Sequence, residues 1–147
     1  RLTSAVAHNV ALGLEIVEIS AGRCTMKLPY DKQLIGNPDS GVLHGGVISS
    51  FVDAVSGISV FSAVSEIMPI ATLDLRIDYL KPATPERDLL VQAHCYKLTR
   101  SIAFVRALAY HDDRADPVAT SVSTFMMGTG GSSADNWAQQ AATGKGS

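Results

Sequence analysis

The chain has 147 residues, 46% of them hydrophobic and 18% charged, with a net charge of −2. That length suits one domain with a real core, and the low charged fraction hints at surface buried between subunits. Lysines and arginines are scattered, so there is no electrostatic footprint for nucleic acid. No run reaches the roughly 20 apolar residues expected of a membrane helix, and no secretory signal is visible. Cys24 and Cys95 sit in strand-like apolar runs without metal-ligand spacing. They read as small core residues in a reducing, cytoplasmic compartment. The first residue is Arg1, which leaves a removed leader open.

In chain order, residues 3–11 suit a short helix. Leu14 to Ser20 and Cys24 to Leu28 are strand-like, with Ser20-Ala21-Gly22-Arg23 as the turn of a hairpin. Pro29 to Ser40 is rich in turn formers and reads as a loop. From His44 to about Val64 there is no proline and no charge except Asp53. Val47, Ile48, Phe51, Val52, Val55, Ile58 and Ser62 follow helical spacing. Gly46, Ser49, Ser50, Asp53, Ser56 and Gly57 make the other face small. Such a helix is wrapped on its apolar side by a sheet and needs a second subunit on its small side.

Beyond the helix the pattern turns to period two. Leu73, Leu75, Ile77 and Tyr79 alternate with Thr72, Asp74, Arg76 and Asp78, as in a half-buried strand. Lys81 to Asp88 is a turn with two prolines. Leu89 to Leu98, Ile102 to Tyr110 and Val118 to Met127 are three more strands, joined closely enough to pair antiparallel. Residues 1–127 thus form one α+β domain, a long central helix on a five- or six-stranded antiparallel sheet. Residues 128–147, rich in Gly, Ser, Ala and Gln, read as a flexible tail.

The chemistry gathers at Gly41-Val42-Leu43-His44-Gly45-Gly46 and at Asp53, nine residues after the histidine. A helix start presents unpaired N–H groups to developing negative charge. A carboxylate inside an apolar helix is costly unless it is used or paired. The pair therefore suggests an oxyanion donor and a base. With this element order, and with Asp78-Tyr79-Leu80-Lys81-Pro82-Ala83 closing a strand, the chain resembles hotdog-fold acyl-CoA thioesterases of the phenylacetate-pathway and 4-hydroxybenzoyl-CoA type. The resemblance spans roughly residues 10 to 127. It departs at one point: the asparagine often found six residues before the motif histidine is Pro38 here, and Asn37 lies one residue earlier.

The resemblance implies hydrolysis of an acyl-CoA thioester to the free acid and CoA. It also implies a homodimer or a tetramer of two dimers, with no metal or cofactor required. The Gly45 N–H is the oxyanion donor, and glycine lets the substrate carbonyl approach the backbone. Asp53 is either general base or nucleophile. Thr72 lies where such enzymes carry a hydroxyl that orients water, and Asn37 is the nearest equivalent of the missing asparagine. His44 either orients the thioester or bonds a loop residue such as Asn37. Gly46, Arg100, Ser101 and Lys81 are candidates for holding substrate, the basic ones facing CoA phosphates. Arg87 and Lys97 are weaker candidates. His94 reads as a strand-face residue, and His8 and His111 as terminal or turn residues.

Spacing adds a constraint. Gly45 and Asp53 are eight residues apart on one helix, or roughly 12 Å along its axis. One chain cannot place both against one thioester, so the site draws one from each of two antiparallel helices. The competing function is an acyl-CoA binding or sensing module on the same fold, against which a carboxylate beside the thioester argues. A hotdog dehydratase lacks its histidine-centred helix motif here.

Overall fold

The computed structural model describes residues 14–30, 35–37, 42–43, 45–66 and 68–128, with 35–37 and 42–43 described through their backbone. The expected helix over 3–11, with His8, and the expected tail beyond Gly128 lie outside the described residues.

The chain opens with the expected hairpin, β1 (Glu15–Ser20) and β2 (Arg23–Leu28), paired antiparallel. Gly22 turns it with φ of 76°, and a Cβ there would sit 3.3 Å from the Cys95 carbonyl oxygen. Both the left-handed backbone and the close approach favour glycine. The Gly22 N–H donates to the Ser62 hydroxyl at 3.0 Å, and Cys95 N–H donates to the Gly22 carbonyl at 2.8 Å. The turn is thereby tied to the helix end and to the sheet.

The stretch read as loop contains two short antiparallel strands, β3 (Ile35–Asn37) and β4 (Val42–Leu43). Three and two residues are too few to show a period, so only the turn formers between them are visible in sequence.

The central helix α1 runs Gly45–Ala63. Ile48, Phe51, Val52, Val55 and Ile58 are buried on its apolar stripe, as the spacing requires. Ser56, which the spacing places on the small outer face, is instead fully buried, as is Ser59. The Ser59 hydroxyl donates to the Ser56 carbonyl at 2.6 Å, and Ser62 donates to the Ser59 carbonyl at 2.8 Å. Back-bonding of this kind lets Ser59 and Ser62 lie against an apolar sheet, whereas the buried Ser56 hydroxyl makes no such bond. By length and composition α1 is also long and apolar enough to cross a membrane, which corrects the sequence expectation. It is the core helix of this domain: its apolar stripe packs on β2 and on two strands of the main sheet that follow.

Those strands are β5 (Ile70–Tyr79), β6 (Leu89–Leu98), β7 (Ile102–Tyr110) and β8 (Ala119–Met127). With the hairpin they form one six-stranded antiparallel sheet in the order β1-β2-β6-β7-β8-β5. Strand β5 therefore crosses over to an edge beside β8, away from its sequence neighbour β6. Cys24 and Cys95 are buried free thiols, and burial pushes the Cys24 thiol up to about 11.

Strand β5 departs from its apparent alternation. A β-bulge between Thr72 and Asp74 gives the register Thr72↔Phe125, Asp74↔Thr124 and Leu75↔Ser123. Thr72 therefore shares the helix-facing side with Leu75, Ile77 and Tyr79, while Leu73 drops out of that set and is 42% exposed. Bulges re-aim side chains in this way, often beside functional sites.

Candidate active site

The first turn of α1, Asp53 midway along the same helix and the start of β5 carry the groups that the sequence singled out. Asp53 is half-buried on α1, the one charged residue of the helix. The Thr72 hydroxyl donates to its Oδ1 at 3.0 Å. The bulge makes this contact possible, since strict alternation would point Thr72 away from the helix. The acid is less enclosed than its apolar sequence setting suggests. Its side of the helix is open in a single chain: Gly46 and Ser50 are exposed, and Ser49 and Gly57 are half-buried.

Gly45 begins α1 and is exposed, and a Cβ placed there would meet nothing within 4 Å. Packing inside the protomer does not demand glycine at this position, which counts against a merely structural reading of Gly45. The Tyr79 hydroxyl donates to the Gly45 carbonyl at 3.0 Å. Gly46 follows in the same turn, its carbonyl accepting from the Ser49 hydroxyl at 3.2 Å. A cleft of about 350 Å³ opens here between Gly45, Ile48 and the run Tyr79 to Ala83. Lys81 stands in its wall and is ion-paired to Asp116 at 2.5 Å.

Below that wall His111 lies in the β7–β8 connection, as expected of a turn residue, but its ring is turned inward. It is buried, its Nε2 accepts the Thr84 N–H at 2.8 Å, and its Nδ1 lies 2.8 Å from the Asp88 carbonyl. An accepting Nε2 leaves the proton on Nδ1, so the ring is neutral and bridges the Lys81 to Asp88 segment. No sequence period signals such a clamp, because its partners are two backbone groups.

The structure does not bring Arg100 and Ser101 to this cleft. They form the β6–β7 turn at the far end of α1, where Arg100 lines a separate cleft of about 290 Å³ with Ala63, Met68 and Leu98. Arg87 pairs with Asp112, and Lys97 lies 6.0 Å from the Phe104 ring centre. His94 does sit on the outer strand face, between Arg23 and Arg106 of the neighbouring strands. Desolvation, then the two arginines, lower its pKa below the usual histidine value. Asn37 lies in β3, with its side chain outside the described residues, and His44 lies outside them altogether. Among the described residues no cluster of His, Cys, Asp and Glu has the arrangement of a metal site.

One helix packed on a six-stranded antiparallel sheet is the hotdog architecture. The comparisons agree. The family profile described as "Thioesterase superfamily" matches residues 40–118. A crystal structure of a Pseudomonas aeruginosa protein superposes with a TM-score of 0.75 at 42% identity, covering 84% of this chain and 92% of that one. A thioesterase family protein from Silicibacter pomeroyi gives a TM-score of 0.74 at 26% identity, covering 87% and 98%. The medium/long-chain acyl-CoA thioesterase YigI of Escherichia coli is 26% identical over 133 residues, covering 82% of this chain and 84% of YigI. The chain belongs to the thioesterase superfamily and is a thioesterase on the hotdog fold.

Proposed function

We propose that this chain hydrolyses an acyl-CoA thioester to the free acid and CoA, as a homodimer with Asp53 and Gly45 drawn from opposite subunits. The observation that carries the reading is the Thr72 hydroxyl donating to Asp53 at 3.0 Å on the open side of the helix. That bond occupies one carboxylate oxygen and leaves the other for a water or a thioester carbon. The similarity to YigI supplies the CoA ester as substrate class.

Along one route Asp53 takes a proton from water as the water oxygen bonds to the thioester carbon. Along the other, Asp53 itself bonds to that carbon, and water later opens the mixed anhydride. Both pass through a tetrahedral oxyanion that accepts the Gly45 N–H at the favourable end of the helix dipole. Collapse breaks the carbon–sulfur bond; on the first route the CoA thiolate takes up the proton held by Asp53, and on the second it is protonated from solvent, the proton being returned when water opens the anhydride. Gly46 lets the acyl carbonyl lie close to the helix start. His44 and Asn37 assist at the motif, and Lys81 is the polar group offered to CoA in the wall of the Gly45 cleft, whereas Arg100 and Ser101 stand at the other end of α1.

Two subunits are required because Gly45 and Asp53 stand about 12 Å apart along one axis. Antiparallel helices, related by a two-fold axis, pair each Gly45 with the other chain's Asp53 and make two equal sites. The small residues Gly46, Ser50 and Gly57 permit close helix approach. A dimer of such dimers is the larger assembly that the family resemblance implies.

Complementation tests both halves of the reading. Asp53→Asn and Gly45→Val are each expected to lose about 10³-fold or more in kcat on CoA esters. Mixed after co-refolding, they give half heterodimers, each with one intact site, so about a quarter of wild-type activity returns if the site is shared. Full turnover by Asp53→Asn, or no recovery on mixing, overturns the assignment. Binding of CoA esters by the wild type with no hydrolysis across an aryl and alkyl panel would favour a binding module.

A further inference from the structure

Two side chains of strand β5 hydrogen-bond to the catalytic helix, and hydrolysis as proposed uses only the first bond. Thr72, near its start, holds Asp53, and Tyr79, its last residue, holds the carbonyl of Gly45. We infer that Tyr79 is a positioning residue for the oxyanion site, its phenol fixing the Gly45 backbone so that the Gly45 N–H meets the thioester oxygen. The inference rests on the proposed role of Gly45 and adds to it the group that holds it.

Gly45 needs holding. It is the first residue of the helix, it is exposed, and a Cβ there would touch nothing within 4 Å. The N–H at that position has no helical partner, and glycine has the widest backbone freedom of any residue. A donor that is to stabilise an oxyanion must be held within about 0.5 Å and 10–20° of its working geometry. The helical bond to the Gly45 carbonyl fixes that oxygen along the axis. The phenol fixes it laterally from the sheet, and a carbonyl held from two directions sets the rotation of the residue that carries it. That carbonyl shares its peptide unit with the Gly46 N–H, so what the phenol does for the Gly45 N–H is positional.

The bulge is what puts Thr72 on the same face of β5 as Tyr79. With Thr72 brought onto the helix-facing side, the same side of β5 carries Thr72, Leu75, Ile77 and Tyr79. Seven strand residues at about 3.3 Å each span more than the 12 Å between Asp53 and Gly45, and the long tyrosine side chain closes the difference at the far end. Both groups of the helix are thus set from one strand. Tyr79 is nevertheless 51% exposed and stands in the wall of the cleft beside Gly45. That placement is poor for a core aromatic and good for one whose hydroxyl is its function.

The test is Tyr79→Phe, which keeps the ring and removes the donor. The expected result is a fall in kcat of about 10- to 100-fold with KM little changed, because binding of the CoA arm does not depend on the phenol. The second readout is the carbonyl stretch of a bound ketone analogue of an acyl-CoA, with CH2 in place of the thioester sulfur. The wild type is expected to lower that frequency relative to water, and Tyr79→Phe to lose much of the shift. 3-Fluorotyrosine at position 79 keeps ring and hydroxyl and is a stronger donor, so a larger shift is expected should the phenylalanine variant fail to fold. A wild-type shift that survives Tyr79→Phe, a wild-type kcat in that variant, or no added shift with fluorotyrosine overturns the inference alone. No shift in the wild type overturns the oxyanion role of Gly45 and the inference with it.

Discussion

The two flanks of helix α1 differ in how much of their environment the chain supplies. On one flank Phe51, Val52, Val55 and Ile58 are enclosed by β2, β6 and β7, and Phe51 is 0% exposed. On the other, Gly46 and Ser50 are exposed, and β5 is an edge strand with Leu73 and Tyr79 open to solvent. The closed flank holds the fold together. The open flank carries Asp53, Thr72 and Gly45, the residues that the proposed reaction uses, and Tyr79, which holds Gly45. Stability and chemistry are thus separated across one helix, and substitutions on the two flanks should have different signatures.

The largest expected effect lies on the closed flank. Phe51→Ala removes a fully buried ring and leaves a cavity between helix and sheet. Its unfolding free energy should fall by about 3–5 kcal/mol, read as a lower urea midpoint with an unchanged slope. Turnover by the molecules that remain folded should change far less. A loss under about 1 kcal/mol would show that the enclosed flank does not carry the fold.

The converse experiment is Gly45→Ala on the open flank. Gly45 is absent from the positive-φ residues, and an added Cβ meets nothing within 4 Å. Helix propensity then favours alanine by up to about 1 kcal/mol, so stability should hold or rise slightly. Turnover should fall by about tenfold or more, because a methyl group occupies the path by which the acyl carbonyl approaches the backbone. A variant as active as wild type would show that glycine is dispensable there and would remove the case for close carbonyl approach.

The same division governs what the sequence made legible. The enclosed flank follows from period: Ile48, Phe51, Val52, Val55 and Ile58 recur at helical spacing, and Cys24, Met26 and Leu28 alternate on β2. Asp53 and Gly45 stood out because a charge in an apolar helix and a glycine at a helix start are visible without coordinates. The open flank is harder, since its geometry depends on an irregularity. The residues from Thr72 to Tyr79 read as an unbroken alternation with Leu73 inward, yet the bulge turns Thr72 to the helix and Leu73 outward. One unpaired residue changes the face of everything before it. Ser56 was misplaced for a different reason: a small polar residue is read as an outer position, yet a side chain that small also fits against the sheet, where Ser56 is fully buried. Tyr79 was part of a recognisable motif, but its bond to Gly45 joins residues 34 apart in sequence, and no local pattern encodes that. His111 escaped likewise, since its partners are backbone atoms of Thr84 and Asp88.

The smallest expected effect lies on neither flank but on the outer face of the sheet, where it serves as a control for both. His94 stands between Arg23 and Arg106 on adjacent strands, and desolvation followed by the two guanidiniums lowers its pKa below the usual histidine value of 6.5. Because the folded value is the lower one, the unfolded chain takes up a proton first as pH falls. His94 therefore costs nothing above about pH 7 and subtracts stability as pH drops through 6.5 towards the folded value. The side chain is only partly buried, so solvent and salt screen much of this. His94→Gln should leave the urea midpoint at pH 7.5 unchanged and lessen its decline at pH 5 by a small margin. Raising salt should move the His94 proton resonance titration upward by screening the arginines. An equal decline in both proteins, with a salt-independent titration, would remove the arginine pair as a cause. Turnover of His94→Gln at pH 7.5 should match wild type, because this face is turned away from Asp53 and Gly45. A drop there would mean that the outer sheet face is coupled to the open flank, and the clean separation between the two sides of α1 would have to be abandoned.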